Sequence, residues 1–176
     1  YSSFNGYVWN KLFDLQLIRE NDIRFHADYP ACEDTMFVGS YLYHCSRVCV
    51  TEECLYCYRQ VSGGANRGRY SGRKAYDPKW MSVFEMTEYM ADLYKDDAVT
   101  AACRLHEVRE AGIVLRSMEA AGYHGADHAR LKGILRRGAG LFFRDENSGR
   151  SQKLSVLLSC ISPKLELAVW KLRNRK

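Results

Sequence analysis

Two adjacent carboxylates, Glu33 and Asp34, stand at the head of the run Thr-Met-Phe-Val and are the residues of this chain best suited to proton transfer. A carboxylate beside a substrate hydroxyl can take its proton as that oxygen attacks. At a helix start the dipole and the free N–H groups favour the ionised form, which keeps the group ready to accept but makes it a weaker base. Acids at a helix start also serve as plain capping residues with no substrate in view. Upstream, Trp9-Asn10-Lys11 couples a large aromatic face to a cation. It reads either as a ligand contact or as a core tryptophan with solvated polar neighbours. Downstream, Arg59 is followed by Arg67, Arg69, Arg73 and Lys74, a cationic set that suits anionic oxygen and equally suits a solvated basic loop.

Metal chemistry has weaker signals. Cys54-x-x-Cys57, with Cys45 and Cys49 upstream, has a zinc-like look, but the upstream pair lacks the tight spacing of a zinc knuckle. Cys57 also alternates with Tyr56 and Tyr58 as in a strand, so core thiols are the preferred reading. Five of the seven cysteines fall between Cys32 and Cys57 without a loop-rich disulfide context, which favours reduced thiols. His124 and His128 are four apart, yet Gly125 between them argues against one continuous helix and a shared metal. No metal site is expected within the chain, and no Walker, dinucleotide or nucleophile-elbow motif occurs.

The elements that must position these residues follow from periodicity. Val8 to Phe13 reads as a short strand or turn leading into a helical segment through Ile18, and Ile23 to Phe25 as extended chain. Met36, Phe37, Ser40, Tyr41 and His44 recur at helical spacing and predict a helix from Glu33. Arg47 to Thr51 and Cys54 to Gln60 read as two strands. Val61 to Lys74 is rich in glycine and basic residues and reads as a mobile loop. Asp77-Pro78 then opens a helix, Asp96 to Ala121 forms a long one ended by Gly122, His128 to Arg137 another, and Pro163 joins two short ones.

In order and spacing, Gly6-Tyr-Val-Trp-Asn-Lys-Leu-Phe13, Ile23-Arg-Phe25, Glu33-Asp34 and Leu55-Tyr-Cys-Tyr-Arg-Gln60 resemble the second half of the catalytic domain of family 2 glycosyltransferases, inverting nucleotide-sugar enzymes with a GT-A fold. The resemblance covers residues 6 to 60, with a looser likeness in the Ser162-Pro163 to Leu172 tail. It implies that Asp34 is the base that deprotonates the acceptor hydroxyl, with Glu33 an orienting neighbour. It implies acceptor contact by Trp9 and Lys11, and charge compensation of the leaving nucleotide diphosphate by Arg59, Arg67 and Arg69. The expected fold is therefore α+β and predominantly helical. Residues 1–75 would be the C-terminal, acceptor-side half of a GT-A-like α/β domain with a few strands, and residues 76–176 a helical extension. Such enzymes hold a divalent cation, magnesium or manganese, through an Asp-x-Asp motif. This chain has none. The nucleotide-binding half is thus expected before Tyr1, with the chain inactive alone. The intact enzyme is expected to move a sugar from a nucleotide-sugar to a glycan or lipid-linked acceptor, as in bacterial surface polysaccharide synthesis.

Composition bounds the alternatives. With 176 residues, 47% hydrophobic, the chain can bury a core, and no apolar run is long enough to span a membrane. The expected location is cytoplasmic, peripheral at the inner face of the membrane. Of the net charge of +5, the segment 150–176 carries seven basic residues against Glu166 alone, a surplus of six. Leu165, Ala168, Val169 and Leu172 share a helical face there, as an interfacial helix drawn to anionic lipid requires, although packing on the domain explains the same pattern. A nucleic-acid partner is not expected, because the basic residues lie in two separate runs and no standard motif accompanies them. A homodimer is expected if half a fold exposes apolar edge. The rival class is a non-catalytic helical module for protein interaction.

Overall fold

The computed structural model describes residues 6–59 and 76–174. The helices among them are α1 (Leu15–Glu20), α2 (Glu33–His44), α3 (Ser82–Tyr94), α4 (Asp97–Ala121), α5 (Ala126–Arg144), α6 (Arg150–Ile161) and α7 (Pro163–Arg173), with a 3-10 turn at Pro78–Met81. Helix makes up 67% of the described residues, and no strand occurs among them. The expected α+β class, with part of a GT-A-like α/β domain, is therefore corrected to all-α. A strand persists only where a neighbour completes its ladder, and an isolated pair of strands is marginal in water. Residues 47–51 and 54–59 find no such neighbour and run as irregular chain. Alternation there does something else: Tyr56 and Tyr58, two apart, send both rings to Trp9.

Local signals account for the helix limits. The Asp77 carboxylate accepts from the Lys79 amide at 3.1 Å, with Pro78 at the first helical position. Asp96 caps α4 by accepting from the Val99 amide at 3.0 Å, and Gly122, at φ +69°, ends it in the left-handed region that glycine tolerates. Ser162 caps α7 from the Leu165 amide, with Pro163 following.

Helix α4 is the axis of the molecule, and α3, α5, α6 and α7 pack around it. Val108, Ala111, Leu115 and Met118 recur at three and four residues along one side of α4, and meet Leu131, Leu135 and Phe142 of α5 and Phe84 of α3 in one core. Helix α2 joins that core through Met36. Residues 36–40 of α2 are all buried because the helix is covered on two sides. On one side lies α3. On the other, Phe13 and Phe25 pack on Phe37 with ring centroids 5.3 and 4.3 Å away. Gly39 permits the α3 contact: a side chain there would strike the Met90 thioether, and its carbonyl accepts from the Tyr94 hydroxyl at 2.9 Å.

Candidate functional site

The first turn of α2 carries Glu33 and Asp34 as its first two residues, behind Cys32 at the cap position. Cys32 makes no side-chain cap hydrogen bond and sits at φ 70°. Neither acid is therefore a cap residue. The chain from Gly6 to Phe13 lies over this turn, and Gly6 allows the approach, since a Cβ there would collide with Thr35.

Two residues singled out from sequence, Lys11 and Asp34, meet here, with Trp9 in the same covering segment. The Val8 amide donates to the Asp34 carboxylate, and the Lys11 ammonium is near enough to interact with it electrostatically. Lys11 Nζ donates to the Tyr7 carbonyl at 2.7 Å and to Asn10 Oδ1 at 2.8 Å, which fixes the cation beside the carboxylate. Trp9 forms the floor of an aromatic cluster, with Tyr58, Tyr56 and Tyr7 rings centred 4.8, 4.9 and 5.5 Å away. Tyr7, Tyr56 and Tyr58 are all exposed, so the cluster presents aromatic faces and hydroxyls to solvent.

Electrostatics sharpen Asp34. Burial, and then the neighbouring Glu33 charge, push its carboxyl above the ordinary aspartate range, while the Val8 amide and Lys11 pull it back only in part. Burial in turn lowers the Lys11 ammonium, against the opposing influence of Asp34. Burial and Glu33 thus make Asp34 a stronger base than an ordinary aspartate. Sequence could not reveal this, because the cover comes from residues 26 positions upstream of it.

The remaining candidates are less concentrated. Arg59 is exposed beside the tyrosine run, while Arg67 and Arg69 lie outside the described residues, as does the loop they belong to. Cys49, Cys54 and Cys57 are exposed rather than core thiols, and the cysteines do not converge into a metal-binding group among the described residues. The one three-ligand group found among the described residues is Glu119, His124 and His128. Its two nitrogen ligands are unlike the oxygen set that magnesium or manganese takes on a diphosphate, so it does not fit the cation that the resemblance implies.

A cavity of about 550 Å³ opens elsewhere, between α4, α6 and α7, lined by Arg109, Arg116, Glu166, Trp170 and Arg173 among others. Its walls include neither Asp34 nor Trp9. Sequence reasoning missed it because its polar lining is drawn from three helices, with α4 far in sequence from α6 and α7. Comparison of the chain with protein-family models, with curated proteins and with solved structures finds no match.

Proposed function

We propose that this chain is the acceptor-handling portion of a nucleotide-sugar-dependent glycosyltransferase, acting as part of a longer enzyme. The observation that carries the reading is the meeting of Lys11 and Asp34 under the Gly6–Phe13 segment, whose Val8 amide donates to Asp34 and whose Trp9 stacks on exposed tyrosines, together with the raised affinity of Asp34 for a proton. Sugars present a flat C–H face that stacks on aromatic rings, and the Trp9–Tyr58 cluster offers such a surface on the segment that covers the carboxylate. Asp34 takes the proton of the acceptor hydroxyl as that oxygen bonds to the anomeric carbon and the bond to the nucleoside diphosphate breaks. Lys11 holds the acceptor oxygen or the ionised carboxylate in place, and Arg59, with Arg67 and Arg69, offsets charge on the leaving diphosphate.

Helices α6 and α7 favour work at an anionic membrane surface. Leu154, Leu157, Ile161, Leu165 and Leu172 are exposed on them, in the same segment as the surplus of positive charge. No helix among the described residues is long and apolar enough to cross a membrane.

Tryptophan fluorescence and NMR titration with a panel of oligosaccharides test the reading. Saturable binding that Trp9→Ala removes is expected, without magnesium-dependent affinity for nucleoside diphosphates. Saccharide binding untouched by Trp9→Ala, or none across the panel, would overturn it in favour of a protein-interaction module.

A further inference from the structure

The corner between α4 and α5 gathers three metal-ligating side chains that the glycosyltransferase reading does not use. Glu119 lies in the last turn of α4, His124 in the link after it, and His128 in the first turn of α5. The link is tightly determined. Gly122 takes a positive φ, the Tyr123 amide donates to the Met118 carbonyl at 2.9 Å, and the His128 amide donates to the Gly125 carbonyl at 3.1 Å. The interruption at Gly125 therefore does not separate the two histidines. It folds the chain back and brings their rings to 5.0 Å between centroids, nearly perpendicular.

Ligand atoms converge at this corner. His128 Nε2 is 2.9 Å from Glu119 Oε1, and His124 Nδ1 is 3.9 Å from the same oxygen. All three ligand atoms lie within 4.8 Å of one another. Donors around a tetrahedral zinc ion, at roughly 2.0–2.1 Å from it, stand about 3.3 Å apart, so the widest separation must close by up to about 1.5 Å while the His128–Glu119 pair opens slightly. The freedom to make that movement resides in His124, whose side chain is 50% exposed. The other two are held: the Glu119 and His128 side chains are 5% and 11% exposed. In the metal-free chain the His128 ring nitrogen satisfies the Glu119 carboxylate by a 2.9 Å hydrogen bond, and a divalent ion would replace that bond by coordination to both groups and to His124. Asp127, next to His128, is itself anchored by the Tyr76 hydroxyl at 3.2 Å, which steadies the start of α5.

We infer that Glu119, His124 and His128 form a three-ligand site for a divalent transition metal, zinc in the first instance, that fastens the α4–α5 corner. Two imidazoles and a carboxylate are a zinc-type set, and the exposed side at His124 leaves the fourth position to water. The inference stands on this corner alone and is independent of the glycosyltransferase reading.

The test uses the full 176-residue chain, reduced and stripped of metal by chelation and dialysis. Cobalt(II) titration followed by absorption is expected to give visible ligand-field bands that saturate at one equivalent, lack thiolate-to-cobalt charge transfer, and vanish when zinc displaces the cobalt. Zinc at a hundredfold excess over its Kd is expected to raise Tm by roughly 5 °C or more. His124→Ala, in an exposed link, should keep the metal-free Tm while weakening binding at least about tenfold, since even loss of a residue that merely orients a ligand costs that much. Glu119→Gln, close in shape, should do the same and serves if the first variant misfolds. Absence of saturable binding would overturn the inference. So would binding that survives both substitutions, or a thiolate band lost on Cys54→Ser and Cys57→Ser.

Discussion

Arg116 of α4 and Glu166 of α7 meet at 2.8 Å with their side chains 7% and 3% exposed, a charge pair enclosed between two helices. Ser155 of α6 donates to the same Glu166 oxygen at 2.7 Å, and the Arg116 guanidinium lies 5.0 Å from the centre of the Trp170 ring. Three helices are thereby joined through one carboxylate. Breaking such a pair from one side strands a buried charge and costs roughly 3–5 kcal/mol, whereas replacing both partners by apolar residues can be neutral. Glu166→Ala is expected to lower the urea midpoint strongly, and Arg116→Met with Glu166→Leu to recover most of the loss. Equal destabilisation by the single and double variants would show that the pair is not the joint.

The pair also changes how a membrane role must be tested. Deleting 163–176 would remove Glu166 and Trp170 from Arg116 and uncover the α4 and α6 surface beneath, so loss of lipid binding after that deletion would not separate a lost lipid face from a damaged fold. Leu165→Ser with Leu172→Ser leaves the joint intact, since those side chains are 43% and 64% exposed. Wild-type chain should sediment with vesicles rich in anionic lipid, and the double variant should bind several-fold less at an unchanged Tm. Undiminished vesicle binding would remove these leucines from the interface.

Asp34→Asn should separate activity from stability. On the glycosyltransferase reading, turnover by an enzyme containing this chain is expected to fall roughly a hundredfold or more. Because the folded carboxyl titrates above its unfolded value, the wild type binds more protons when folded, so its stability declines as pH rises from the unfolded to the folded pKa. The variant escapes that decline. Thermal melts should therefore show Asp34→Asn no less stable than wild type at pH 7, with its relative advantage shrinking toward pH 3. A variant that is active, or less stable at pH 7 than at pH 3 relative to wild type, would contradict the assignment.

Trp9 should act on acceptor binding. Trp9→Ala is expected to raise acceptor KM about tenfold with a smaller change in kcat, and Trp9→Phe to keep most of the stacking. A fall in kcat at constant KM would assign Trp9 to the transition state instead.

Boundary chemistry was the legible part of this chain. Asp77-Pro78, Asp96, Gly122 and Pro163 each act within a few residues of themselves, so the start of the helical part, the long α4 and the junction at Pro163 could be read directly. What escaped depended on distant partners. Tyr56-Cys57-Tyr58 has strand-like alternation, but only the position of Trp9 decides that the rings stack without a ladder. Helix α5 outruns its expected end at Arg137, because Gly138 lies against Val108 of α4, where a side chain would collide. The helix start at Glu33 was legible, whereas the rise in the proton affinity of Asp34 was not. Gly125 was correctly read as a break, but that the break folds His124 toward His128 depends on the Gly122 turn.

Positions 39 and 90 are not independent. Helix α2 bears Asp34 at one end and rests at its middle on α3, where the missing side chain of Gly39 is the space that the Met90 thioether fills. A side chain gained at 39 must displace the flexible end of Met90, and a shorter residue at 90 would relieve that contact. Substitutions at these two positions are thus expected to be coupled, through a contact between α2 and α3 that no local pattern in either helix announces.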